Sequence, residues 1–151
     1  MMKAMKQLMT AAFSMVVLSG GAIAGDGWMT DIDAALAKGK AEKKAVMVEF
    51  TGSDWCPPCI MMHKKVFSKK SFTDAASKKF ILVVIDIPNK DPKLKKKNSK
   101  VLKKYKVSGV PSVLLFGDDG KEFSRFSASQ FPSVDAFLSH IHGELEKREM
   151  D

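Results

Sequence analysis

The run AVMVEFTGSDWCPPC, residues 45–59, joins a strand to a helix through a pair of cysteines. Ala45 to Thr51 are strand formers, and Gly52-Ser53 bounds them. The run is apolar at nearly every position, the pattern of a strand covered on both faces. Glu49 is the exception. Cys59 to Phe67 then reads as a helix, with Ile60, His63, Lys64 and Phe67 at helical spacing.

A Cys-x-x-Cys that ends a strand and opens a helix has chemical meaning. Two intervening residues let both sulfurs approach bonding distance when the second cysteine lies in the first helical turn. Unpaired N–H groups at the helix start stabilise negative charge. Cys56 is therefore expected to ionise more readily than a free thiol and act as nucleophile. Cys59, one turn in, is more shielded and is expected to resolve the mixed disulfide. Pro57 and Pro58 fix φ and remove two donors, so they stiffen the loop and tune its redox behaviour. Glu49 is costly to bury without a role. Behind the dithiol, with a raised pKa, it is a candidate to take the proton that Cys59 loses. The bland alternative is a Glu49 that turns to solvent or pairs with Lys44. Val110-Pro111 precedes another strand, and an X-Pro bond can adopt cis.

Further out, Asp31 to Lys44 reads as a helix capped by Thr30 or Asp31. Phe72 to Lys79, with Ser71 as N-cap, continues or restarts the helix after the cysteines. Phe80 to Ile87 is a second buried strand, and Pro88 to Pro92 a loop. Leu94 to Tyr105 is a helix with Leu94, Val101, Leu102 and Tyr105 on its apolar stripe and Asn98 between them. Ser112 to Phe116 is a third strand, and residues 117–120 are a turn. Lys121 to Phe126 is the turn's hairpin partner. Ser133 to Glu149 closes the chain as a helix. Strands separated by helices imply a parallel βαβ unit, and the last two strands must be antiparallel. The expected product is an α/β domain, a mixed sheet of four or five strands with helices on both faces.

At the N-terminus, Lys3 and Lys6 precede an apolar run, Leu8 to Leu18, and then Ala22-Ile23-Ala24. That order describes a secretory signal peptide over residues 1–24, cleaved after Ala24, and a mature domain over residues 25–151. The run is short of the roughly 20 apolar residues that cross a bilayer. Cleavage also removes Met1, Met2, Met5, Met9 and Met15, half of the ten methionines. The expected location is therefore periplasmic or secreted, where disulfides persist. The chain carries 25 Lys and Arg against 17 Asp and Glu, for a net charge of +8, with 45% hydrophobic residues. This composition excludes a disordered acidic tail, a collagen-like repeat and a polytopic membrane protein. No aromatic-basic interleaving points to nucleic acid. We expect no membrane span after cleavage, and a monomer.

Taken together, VMVEF, TGSDWCPPC, VSGVPSVLLF, DDGKEF and a terminal helix resemble the thioredoxin superfamily, over roughly Ala41 to the C-terminus. The chain is most similar to the secreted and periplasmic thioredoxin-like proteins, including the terminal domain of the transmembrane thiol-reductant conduits. The resemblance implies a thioredoxin fold and thiol–disulfide exchange. It assigns Cys56 as attacking and Cys59 as resolving cysteine, Glu49 as the buried acid, and no cofactor beyond the redox-active pair. It also implies a cis Pro111 against the disulfide, with Trp55 and Val110 among the groups that meet an extended substrate. Protein dithiols or disulfides are the implied partners. The chain carries no flavin or nicotinamide motif, so a reductase needs an external electron donor such as a membrane thiol reductase. Oxidase and isomerase are the alternatives within the class.

This sequence departs from the usual pattern. Glu49 stands where thioredoxin has Asp, Pro-Pro where it has Gly-Pro, and the stretch from acid to Cys56 is one residue longer. Ser127 and Ala128 stand where a glycine is usual.

Three rival readings stand beside this one, and the plainest is a purely structural disulfide, which would close a tiny loop and stabilise little. Cys56, Cys59 and His63, with Met61 and Met62 nearby, have the types and spacing of a copper or zinc site, although the expected metal set is empty. The lysines between Lys93 and Lys106 suit an acidic partner, an anionic lipid or a polysaccharide, or form a solvated helix face.

Overall fold

Alternation along one strand sorts the side chains into two cores. The computed structural model describes residues 27–151 and the backbone of residues 23–24. In chain order the elements are β1 (Ile23–Ala24), β2 (Trp28–Met29), α1 (Ile32–Glu42), β3 (Ala45–Thr51) and α2 (Pro57–Met62). A π-helical turn (His63–Phe67) prolongs α2 and leads to α3 (Lys70–Ala76) and β4 (Phe80–Asp86). Then come α4 (Pro92–Lys104), β5 (Ser112–Phe116), β6 (Glu122–Ser127), a short 3-10 turn (Ala128–Gln130) and α5 (Val134–Met150).

The sheet order is β1-β2-β4-β3-β5-β6. β3 and β4 are parallel over their whole length, as a βαβ crossover requires. β5 lies antiparallel to β3, and β6 pairs antiparallel with β5 through the hairpin. The mixed sheet expected from the sequence is thus present, with two two-residue strands added at one edge. The predicted leader lies outside the described residues, apart from the backbone of Ile23–Ala24, which pairs with β2.

Ala45 and Met47 of β3, with Phe80, Leu82, Val113 and Leu115, meet Met62, Val66, Phe72, Phe137 and Ile141 from α2, the π turn, α3 and α5. Val46, Val48 and Phe50, with Ile81, Val83, Ile85 and Leu114, meet α1 and the half-buried Val101, Leu102 and Tyr105 around α4. Helices therefore cover both faces. Trp28 closes the first core, with its ring 5.8 Å from Phe67 and 6.3 Å from Phe72.

The helix boundaries follow their caps. Asp31 caps α1 and Ser133 caps α5, each accepting from the N–H three residues on. α2 begins at Pro57 instead of Cys59, because prolines suit the first turn, where N–H groups lack helical partners anyway. α3 begins at Lys70, with Lys69 as an extended cap residue, so Ser71 lies inside the helix and does not cap it.

Candidate active site

Every group of the site sits where the sheet ends and α2 begins. Cys56 is the N-cap of α2, with an extended backbone. Its Sγ accepts from the Cys59 N–H at 3.3 Å. The N1 and N2 positions are Pro57 and Pro58, which have no N–H, so the Cys59 amide is the first donor the helix offers. Cys56 and Cys59 are joined as a disulfide, with Cα atoms 5.2 Å apart. Cys56 is nearly buried and Cys59 fully so. The Gly52 N–H donates to Cys59 Sγ at 3.4 Å.

Opposite the disulfide lies the turn before β5. The Val110–Pro111 bond is cis, and the Val110 carbonyl oxygen is 3.9 Å from Cys56 Sγ. Pro111 is buried, and its own carbonyl accepts from the Ala128 N–H at 3.1 Å and the Ser127 hydroxyl at 3.3 Å. Ser127 and Ala128, the residues that replace a glycine, thus hold the Pro111 corner in place.

Glu49 points to the face of β3 that α2 covers, since it shares the parity of Met47 and pairs with Val84 and Val113. It is 4% exposed. Burial, with a smaller push from the Asp86 carboxylate, raises its pKa from 4.5 to about 8. Glu49 does not turn to solvent. Lys44 does not pair with it either, because that ammonium donates to the Ser77 carbonyl at 3.0 Å.

Trp55 is 41% exposed beside the disulfide. Its Nε1–H donates to the Ile87 carbonyl at 2.7 Å, and its ring packs closely against Gly52. A Cβ at residue 52 would fall 2.5 Å from that ring, so the close approach requires glycine. Pro57, Pro58 and Ile60 complete an exposed apolar rim around the nearly hidden Cys56 sulfur.

Three site-shaping residues escaped the sequence reading. The Asp54 carboxylate accepts from the Asn89 and Lys90 N–H groups, both at 2.8 Å. Those amides hold it below the usual aspartate range, the Asn89 one foremost. Asp86 accepts from the Ser53 N–H at 3.0 Å and from the Ser53 hydroxyl. Asn98 is buried on α4 and donates to the Asp86 carbonyl at 2.7 Å. The longer Gly52–Trp55 loop is thereby stitched to the loop after β4. An amide on the apolar stripe of α4 was the one clue, because a buried Asn needs a partner.

The other candidate ligands lie elsewhere. His63 is exposed. His140 stacks on Phe131 at 3.9 Å, where burial holds it below the ordinary histidine value. His142 stacks on Phe80. Among the described residues, no three His, Cys, Asp or Glu side chains gather as a metal-binding group.

Comparisons with known proteins agree with this geometry. A family model described as Thioredoxin-like matches residues 27–117. The Disulfide bond reductase DsbH of Chlamydia pneumoniae is 32% identical over 117 residues, which are 76% of this chain and 70% of that protein. A solved structure described as DsbH Oxidoreductase superposes with a TM-score of 0.69 and 24% identity, covering 95% of each chain. The Thiol:disulfide interchange protein DsbD of Vibrio cholerae is 27% identical over 113 residues; the match takes in 75% of this chain but only 18% of that much longer protein.

Proposed function

We propose that this chain, which belongs to the thioredoxin-like family and is a thiol–disulfide oxidoreductase, works outside the cytoplasm as a reductase of protein disulfides. Reduced Cys56, as thiolate, attacks one sulfur of a substrate disulfide held along the Val110 backbone, with Trp55 at its side. The substrate S–S bond breaks, a mixed disulfide forms, and the departing sulfur takes up a proton. Cys59 then gives its proton to the ionised form of Glu49, a minor species at neutral pH, and attacks the Cys56 sulfur. The substrate leaves as a dithiol carrying two electrons, and the Cys56–Cys59 bond closes.

The start of α2 carries the reductase reading. A cap side chain is usually served by the N2 or N3 N–H, and here N2 is Pro58. The Cys56 sulfur, here in the disulfide, has one amide donor, at 3.3 Å, where a non-proline N2 would supply another. A strongly stabilised reduced form makes a dithiol an oxidant, so withholding a donor favours giving electrons away. Similarity to a protein named for disulfide bond reduction supports the same direction. The basic, apolar and Ala-x-Ala order of residues 1–24 supports export. Reducing equivalents come from outside the chain, and a membrane thiol reductase is the class of donor we assign. The relatives named for thiol:disulfide interchange support that choice.

An insulin-reduction assay with dithiothreitol as terminal reductant tests the activity. Wild type should accelerate precipitation of the insulin B chain, and Cys56→Ser should fall to the uncatalysed rate. Equal rates for the two proteins would refute the proposal.

A further inference from the structure

Six of the seven lysines of α4 fall into two stripes, and Lys93 belongs to neither. Lys97 and Lys104 line a small cleft with Asp31 and Asp33, and Lys104 pairs with Asp33 at 3.6 Å. The second stripe has no such compensation. Lys95, Lys96, Lys100 and Lys103, with Pro92 and Ser99, line an open groove of about 440 Å³. None of these four lysines forms an ion pair among the described residues. Lys96, Lys100 and Lys103 are exposed and stand three or four residues apart, where like charges repel. The nearby acids Asp54, Asp86 and Asp91 keep their charge but accept from backbone N–H groups and Ser53, and none of them forms an ion pair with these lysines.

This stripe runs to the redox centre. Lys95 Nζ lies 5.9 Å over the Trp55 ring and donates to Asn89 Oδ1 at 2.6 Å. Trp55 precedes Cys56 and flanks it. The stripe also offers no exposed large apolar side chain that could enter a bilayer; Trp55 and Ile60 belong to the redox rim, and Met150 ends α5.

From this arrangement we propose that the Lys95–Lys96–Lys100–Lys103 stripe docks an acidic protein surface and so brings that partner's cysteine pair to Cys56. The inference rests on the thiol–disulfide reading above and adds the partner's chemistry. Complementary charge beside a reacting group raises encounter rates and selects partners, and salt weakens it.

Three disulfide-looped peptides of one core sequence, flanked by glutamates, lysines or serines, test the inference. Each is mixed with pre-reduced protein, and its reduction is timed from low to physiological ionic strength. The glutamate peptide should react about tenfold faster than the serine peptide at low salt, and the lysine peptide slowest. The gap should shrink with salt. It should close in the combined Lys96→Gln, Lys100→Gln, Lys103→Gln variant and invert when the same lysines become Glu, while serine-peptide rates stay level. Equal rates for all three peptides, or a gap untouched by the substitutions, would overturn the docking surface alone. Reduction of none of the peptides would overturn the reductase reading and the docking surface with it. Salt-sensitive binding to phosphatidylglycerol vesicles, lost in the glutamine variant, without any peptide preference, would reassign the stripe to anionic lipid and overturn the protein partner.

Discussion

At neutral pH the Glu49 carboxyl holds its proton, because burial and the neighbouring Asp86 raise its pKa to about 8. Two consequences follow at this residue. Its folded-state pKa lies above the ordinary 4.5, so its favourable contribution to stability is full below pH 4.5 and fades as pH rises toward 8. The loss approaches about 1.4 kcal/mol per pH unit across that window. Glu49→Gln should therefore be more stable than wild type at pH 8, with the difference shrinking to nothing near pH 4, as urea melts at both pH values will report. The second consequence is kinetic. If ionised Glu49 accepts the Cys59 proton, resolution of the mixed disulfide should speed up with pH to a plateau above pH 8. In Glu49→Gln that inflection should vanish and the plateau should drop by about 10²-fold. Stopped-flow resolution of a Cys56 mixed disulfide separates the two effects. Pro58 makes a different point. Pro58→Ala returns an N–H to the N2 position, so the Cys56 thiolate gains a donor. The reduction potential should rise, by about 30 mV for each tenfold gain in stability of the dithiol.

At the scale of elements, the redox loop and the loop after β4 act as one piece. Asp54, Ser53, Asp86 and Asn98 tie the start of α2 to β4 and α4. Asp54→Ala removes the acceptor for two amides, so hydrogen exchange at Asn89 and Lys90 should accelerate at least tenfold while the β3 amides keep their protection. Unchanged exchange at both amides would show the latch to be idle. The limits of β3 and β5 were legible in the sequence, because both runs are apolar and end at Gly or Pro. The cysteine pair was legible for a local reason: its spacing, the strand before it and the helix after it all lie within a short stretch. The latch was not, since its partners are joined across 35 and 36 residues. β1 and β2 were equally hidden, because two residues cannot display a period of two. The π turn after Met62 leaves no mark in apolar spacing either.

Across the whole molecule, element order gave two pairings, since a helix between β3 and β4 makes them parallel and a tight turn makes β5 and β6 antiparallel; the strand order, and the reversal of β5 against β3 despite the helix before it, it did not give. The site needs that topology. β3 supplies Glu49 and the loop to Cys56, and β5, its antiparallel neighbour, begins at the Val110–Pro111 corner that faces the same sulfur. Which way electrons run lies outside any pattern of spacing. It depends on how well the protein stabilises the dithiol relative to the disulfide, and Pro57 and Pro58 leave the Cys56 sulfur a single capping amide. Equilibration of the Cys56–Cys59 pair with a glutathione redox buffer measures that balance. We expect a potential near that of a reducing thioredoxin, about −270 mV; a value near −120 mV, that of a strong oxidant, would contradict the reductase assignment.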